Sequence, residues 1–350
     1  MTPDTKTRPD PTPVAAGPAT AAAPPAPQGP SWRSRIEPGP LLRNLLPLTA
    51  LVVMFVYFSV EAESFLSTQN LTFMTGEAGI LLLTALGATL VIIMGSVDLS
   101  VGSAALISGA IVAKVLQSGP IGVVWVILLA LAVGVAVGLI NGIVFAYGRV
   151  PSFITTLGTL SLLSGIGLTF MAGSSISFTA PSVQKLATGQ LITHVQNAAL
   201  IALIVFLAIW FLSRRTRLGL YLYALGGNET VVQLSGIRVN RIKVIAMVLS
   251  GVTAALGGLL MAAELNSAGP TLGSTTLLDS IAAIVIGGTA LSGGVGGVER
   301  TLLGVLILTV LSDGLNQLEV QSYTQTIIKG AVIIVAAVFA MASRRKEVIK

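Results

Sequence analysis

No cysteine occurs in the 350 residues, which removes disulfides, thiolate nucleophiles and thiol metal ligands at once. Histidine is almost as scarce. The single one, His194, cannot build a histidine-rich metal site, and beside a helix entrance it reads as interfacial and structural. No G-x-x-x-x-G-K-[ST] phosphate loop is present, so the chain does not itself bind ATP through that device. No nucleophile–base pair or metal-ligand cluster points to a membrane-embedded enzyme. Charge is thin, at 10% of residues, and aromatics stand at 5%. What remains is apolar: 53% of residues, with a mean hydropathy of +0.89.

A hydrocarbon core about 30 Å thick needs roughly 20 apolar residues of helix. Ten runs meet that description, at about 43–60, 71–94, 99–117, 121–146, 152–172, 195–213, 243–263, 277–293, 301–318 and 324–342. With the N-terminus inside, ten spans return the C-terminus to the same side. Seventeen of the 20 Lys and Arg then lie inside, among them Arg149, Arg214, Arg215, Arg217, Arg238, Arg241, Lys243 and Arg300. Only Lys185 falls in an outer loop, while Lys114 and Lys329 fall within spans. That bias sets the orientation. It also accounts for the pI near 9.8 without a nucleic-acid partner, because the basic residues are dispersed over short inner loops.

The expectation is an all-α integral membrane protein of about ten transmembrane helices, with glycine-broken spans and both termini cytoplasmic. Residues 1–40 hold eleven of the sixteen prolines and few large apolar side chains, so they read as a disordered Pro/Ala-rich cytoplasmic tail. They do not read as a cleavable signal, since no apolar stretch begins before residue 40, and span one reads as an uncleaved anchor. The transmembrane domain covers 41–342, with a cytoplasmic loop at about 214–242 and a basic cytoplasmic tail at 343–350.

Thirty-eight glycines sit mostly inside the hydrophobic runs. Gly134, Gly138 and Gly142 recur every four residues on one face of span four, a spacing that lets two backbones approach closely in lipid. A smooth wall along a solute path is compatible with the same pattern. Two segments exceed what packing requires. The first, Gly95-Ser96-Val97-Asp98-Leu99-Ser100-Val101-Gly102-Ser103, puts an acid between two apolar runs, which is costly unless it is paired, hydrated or used as a cap. Asp98, with Ser100 and Ser103, can offer oxygens to the first turn of span three. The second, Gly287-Gly288-Thr289-Ala290-Leu291-Ser292-Gly293-Gly294, aligns loosely with it, Gly95 on Gly287 and Asp98 on Ala290. Either break could be re-entrant. Glycine-interrupted spans in both halves point to a transporter whose broken helices line a pathway.

The loop at 214–242 contains Gly226-Gly227-Asn228-Glu229 and ends on Leu234-Ser235-Gly236. Glu229 to Ser235 can form two helical turns, capped by Asn228 and ended by Gly236. Val231, Val232 and Leu234 give this short helix apolar side chains with no evident partner in its own chain. It can lie at the lipid interface or be gripped by a cytoplasmic partner.

Four stretches carry a family resemblance: Gly95 to Ser103 (family form G-G-x-D-L-S-V-G-S), Pro151 to Thr159, Tyr223 to Ile237, and Ile281 to Thr289. In order and spacing, from about residue 43 to 342, the chain resembles the membrane subunit of bacterial ABC importers for monosaccharides of the ribose, xylose, arabinose and galactose type. Permeases for branched-chain amino acids and nucleosides are relatives of similar architecture. The resemblance implies a second permease chain, most simply a homodimer, in the bacterial inner membrane. It also implies a cytoplasmic ATPase that binds ATP and Mg, so that this chain needs no cofactor, and an extracytoplasmic sugar-binding protein. The segment with Gly226, Gly227, Asn228, Glu229, Leu234 and Gly236 matches the family's ATPase-coupling element. Pathway or gating candidates are Asp98, Ser100, Ser103, Asn141, Phe153, Thr156 and Asp279.

No dense cluster of carboxylates and aromatics is present, which fits a gated conduit of low affinity whose selection happens in the binding protein. A pentose is the favoured cargo, xylose ahead of ribose. The chain departs from the family pattern at Leu277, where a glutamate is common, at Arg300, where a small residue is usual, and at Asp313, where asparagine is usual. Glu264 and Asp313, at outer span ends, read as solvated loop charge or as contacts for the binding protein. An ion-coupled secondary carrier would share the glycine-broken helices and the buried acids, with Asp98, Glu77 or Asp279 carrying a proton, but it would need no docking helix for an ATPase.

Overall fold

The computed structural model describes residues 39–345, so the expectations for the Pro-rich segment before residue 39 and for residues 346–350 fall outside it. The compact unit begins at Arg43. In chain order the helices are α1 (Gly39–Glu61), α2 (Thr68–Ile93), α3 (Val101–Ser118), α4 (Val123–Ala146), α5 (Ser152–Phe170), α6 (Pro181–Thr188), α7 (Asn197–Arg215), α8 (Arg217–Gly227), α9 (Glu229–Leu234), α10 (Val239–Leu265), α11 (Thr276–Ile286), α12 (Val298–Gln317) and α13 (Ser322–Arg345). Two short strands, β1 (Ile176–Ser177) and β2 (Ser267–Ala268), pair antiparallel with Ile176 opposite Ala268. They tie the loop after α5 to the loop after α10.

Among the described residues, six helices (α2, α3, α4, α5, α7 and α10) are long and apolar enough to cross a membrane. The apolar stretches Pro47–Glu61, Thr276–Ile286 and Ser322–Ala336 are shorter. The predicted run 277–293 is not one helix. It stops at Ile286, which gives α11 a length of about 16 Å, half of a hydrocarbon core. Residues 287–297 then continue without regular structure to α12. The other predicted runs coincide with helices, whereas α6, α8 and the β1–β2 pair carried no hydropathy signal.

The ends of α2 and α11 close in the same way. At α2, Gly95 takes φ +81°, its N–H donates to the Ile92 carbonyl at 2.9 Å, and the Ser96 N–H donates to the Val91 carbonyl at 3.0 Å. At α11, Gly288 takes φ +90°, its N–H donates to the Val285 carbonyl at 2.9 Å, and the Thr289 N–H donates to the Ile284 carbonyl at 3.1 Å. Each is a left-handed glycine ending a helix. The structural repeat therefore sets Gly95 on Gly288, one residue away from the alignment drawn from the sequence.

α10 lies at the centre, packed on α2, α3 and α4. The glycine face of α4 meets it: a Cβ on Gly134 would sit 2.6 Å from the Gly251 carbonyl oxygen, and one on Gly142 would sit 2.8 Å from the Val244 Cα. Between helices in lipid, where no hydrophobic drive separates them from solvent, such close approach supplies the packing energy. At the other extreme stands α5, of which only Thr155, Thr156 and Gly167 are buried.

Candidate functional site

The first break, residues 95–100, leaves backbone polar groups outside any helix, and within a membrane protein these need partners from the protein or from a water-filled cavity. Helix α5 provides part of this. The Val97 N–H donates to the Ser152 hydroxyl at 3.2 Å, and the Thr156 hydroxyl lies 3.3 Å from the Val97 carbonyl oxygen and 2.9 Å from that of Ser152. Asp98 supplies the rest. Its Oδ1 accepts from the Ser100 N–H at 2.8 Å and from the Ser100 hydroxyl at 2.6 Å. The Asn141 amide of α4 donates to the Ser100 hydroxyl oxygen at 2.8 Å, and the Thr159 hydroxyl of α5 donates to Asn141 Oδ1 at 2.6 Å.

This network joins Asp98, Ser100 and Asn141 at the entrance to α3, each of them buried. The cap expected on the first turn of α3 is not formed: Asp98 accepts from Ser100, the residue before that turn, the Ser100 side chain makes no cap bond, and the Ser103 hydroxyl donates to the Ser100 carbonyl at 2.9 Å. Phe153, 54% exposed, stands apart from the network. Ser152 and Thr159 were not singled out from the sequence, although 152, 156 and 159 share one helical face. Among the described residues no cluster of His, Cys, Asp and Glu could hold a metal ion.

The coupling-like segment lies on α8 and α9. Asn228 caps α9, its side chain accepting from the Val231 N–H at 3.2 Å, and Gly236 follows with φ +78°. Glu229 pairs with Lys243 of α10 at 2.6 Å, and the Lys243 ammonium also stands 4.6 Å from the centre of the Phe145 ring. Val232 is buried against its own chain, so one of the three apolar side chains has an internal partner. Leu234 (83% exposed) and Val231 face outward. Gly226 is closely covered, whereas Gly227 has open space where a Cβ would stand. Upstream, the Tyr223 hydroxyl donates to the Gly296 carbonyl at 3.0 Å, and Arg214 pairs with Glu299. Burial pushes the Tyr223 phenol above its ordinary range, which keeps it a neutral donor.

Two acids inside the helices, Asp279 and Asp313, find partners, whereas Glu264 of α10 keeps a buried carboxylate oxygen with none. Asp279 of α11 pairs with Lys329 of α13 at 3.6 Å, as lipid burial demands. Asp313 is buried and accepts from the Asn70 amide at 2.7 Å, so the reading as solvated loop charge is corrected. Asn70 in turn accepts from Gln317 at 2.6 Å. The two other departures from the family pattern are also accommodated: Arg300 donates to the Gly288 carbonyl at 3.2 Å, and Leu277 covers Gly102.

Residues 70–337 match the family model described as branched-chain amino acid transport system / permease component. The chain is 41% identical to the ribose import permease protein RbsC of Escherichia coli K12 over 293 residues, 83% of this chain and 91% of that one. It is 37% identical to the RbsC of Bacillus subtilis 168, across 87% of this chain and 94% of the other. The galactose/methyl galactoside import permease protein MglC of Escherichia coli K12 is 34% identical over the same shares. No solved structure matches the chain.

Proposed function

The chain belongs to the branched-chain amino acid transport system / permease component family, and from that premise we propose that it is the membrane subunit of an ATP-driven monosaccharide importer in the bacterial inner membrane. Identity of 41% over most of the chain to a ribose import permease carries the reading and moves the favoured pentose from xylose to ribose. Ten spans with both termini cytoplasmic fit the distribution of Lys and Arg.

The work is divided among proteins. Cytoplasmic ATPases bind ATP and Mg, and a binding protein outside selects the sugar. Two copies of this chain form the conduit. Val231 and Leu234, exposed on a capped and anchored α9, offer an ATPase its apolar contact. Asp98, Ser100 and Asn141 hold the first broken span in shape beside α5, whose exposed Phe153 face is available to the pathway. ATP binding draws the ATPases together, α9 moves with them, and the conduit turns from inward-open to outward-open.

The test is recovery of the detergent-solubilised chain from its native membrane beside a variant carrying Gly227→Asp and Glu229→Arg. The expected result is an ATPase and a sugar-binding protein with the wild type, and loss of the ATPase from the variant. A wild-type chain that purifies without any ATPase contradicts the proposal.

A further inference from the structure

Three turns far apart in sequence meet at one point. Gly226 lies in the last turn of α8, just before the cap of α9; Gly95 ends α2; Gly293 and Gly294 belong to the second break. The Gly294 N–H donates to the Ile93 carbonyl at 2.9 Å, which joins the second break to the end of α2. A Cβ on Gly293 would stand 2.6 Å from the Gly95 Cα and 2.9 Å from the Gly226 Cα. One on Gly294 would stand 3.2 Å from the Gly226 carbonyl carbon, and one on Gly226 would run into the Ile93 carbonyl oxygen and the Gly294 amide nitrogen. Every obstacle is backbone, so none can rotate aside.

One side chain of α8, Tyr223, holds it to the same loop through its bond to Gly296; beside it Arg214, at the end of α7, pairs with Glu299 at the start of α12 and lies 5.6 Å from the centre of the Tyr223 ring. Close packing alone would account for two glycines in contact. Here the contact joins three parts with different work: the arm that carries α9, the break locked by Asp98, and the break that follows α11. Atoms this close transmit displacement rather than absorb it. Only Gly227 and Asn228 separate Gly226 from α9, so a shift of the α8–α9 arm must carry Gly95 and Gly293 with it.

We propose that the contact of Gly226 with Gly95, Gly293 and Gly294 is the mechanical transmission by which movement of α9 reaches both broken spans, with Gly226 as its positioning residue. The inference rests on the importer reading given above. It also assigns the second break a purpose, since that break would be driven directly by the arm.

The experiment reconstitutes the full chain with its co-purified ATPase and binding protein in proteoliposomes and reads D-ribose uptake and ATP hydrolysis separately. Gly226→Ala is expected to keep the complex and its hydrolysis while uptake falls roughly tenfold or more, the factor that overpacking against fixed backbone carries. Tyr223→Phe removes one hydrogen bond without changing volume and is expected to lower uptake about three- to tenfold with hydrolysis retained. Gly330→Ala on α13, with open space at its Cβ, is expected to behave as wild type.

Should Gly226→Ala fail to assemble, Tyr223→Phe decides. Uptake at the wild-type rate in the assembled variants, or uptake and hydrolysis falling in parallel, overturns the inference while wild-type transport leaves the importer reading standing. A wild-type complex that takes up neither ribose, xylose nor galactose with ATP overturns both.

Discussion

At 95–100 the interrupted backbone is held by side chains from two other helices, whereas at 287–297 it is held by its own turns and by the arm before α9. The first break offers Asp98, Ser100, Asn141, Ser152, Thr156 and Thr159, most of them buried and bonded to one another. The second offers Thr289, whose hydroxyl accepts from the Gly297 N–H at 3.3 Å, the Arg300 bond to Gly288, and the Tyr223 bond to Gly296. A closed network of buried polar groups is expensive to open, because each deserted partner loses its hydrogen bond where water cannot replace it. A chain held by glycine turns and a few half-exposed bonds costs less to move. The two halves of one repeat thus share their helix endings but differ in stiffness, the first held by a buried polar network and the second by glycine turns and fewer bonds.

That contrast can be broken by substitution. The largest effect is expected from Asp98→Leu, which strips the Ser100 N–H and hydroxyl of their acceptor in a site only 3% exposed. A stability loss of about 3 kcal/mol should appear in thermal unfolding of the detergent-solubilised chain. Asp98→Asn, which retains an acceptor oxygen, should lose less. Asn141→Leu comes next, at about 2 kcal/mol, since it deserts Ser100 and Thr159 together. At the second break, Arg300→Met should cost about 1 kcal/mol for its bond to the half-buried Gly288 carbonyl. Equal losses from Asp98→Leu and Arg300→Met would dissolve this difference in stiffness between the two breaks.

The smallest effect is electrostatic. Burial raises the Tyr223 phenol above its ordinary 10.0, so the folded state keeps that proton more firmly than the unfolded one. Its contribution is fully present below about pH 10 and is lost as pH rises beyond that value. Ultraviolet titration of wild type against Tyr223→Phe should show one tyrosine ionising later than the rest, and an ordinary titration for that residue would remove the clamp it is assigned.

Much of this was legible in the chain, for definite reasons. Long apolar runs marked the spans, and the four-residue spacing of Gly134, Gly138 and Gly142 announced the packing of α4 on α10. Asn228 and Gly236 bounded α9 because caps are local signals. The repeat was visible, but its register was not: identity favoured Gly287, whereas backbone handedness selects Gly288 as the partner of Gly95. The end of α11 at Ile286 was half legible: the run drawn to residue 293 overshot it, although Gly287-Gly288 already marked a possible break there. Ser100 stood beside Asp98 as a candidate and is its partner, but the bonds from Asn141 to Ser100 and from Thr159 to Asn141 were not legible, because they join separate helices. The meeting of Gly226, Gly95 and Gly293 left no trace, because contacts between residues without side chains impose no period on a sequence.

The most direct test of the central claim is D-ribose accumulation in proteoliposomes holding the chain and its ATPase, with binding protein outside and ATP on the ATPase side. Uptake that requires both ATP and the binding protein, and that is indifferent to a proton gradient, is the result expected of an importer subunit. Accumulation by this chain alone, driven by a pH gradient, would contradict the account and make Asp98, Glu77 and Asp279 the residues of an ion-coupled carrier.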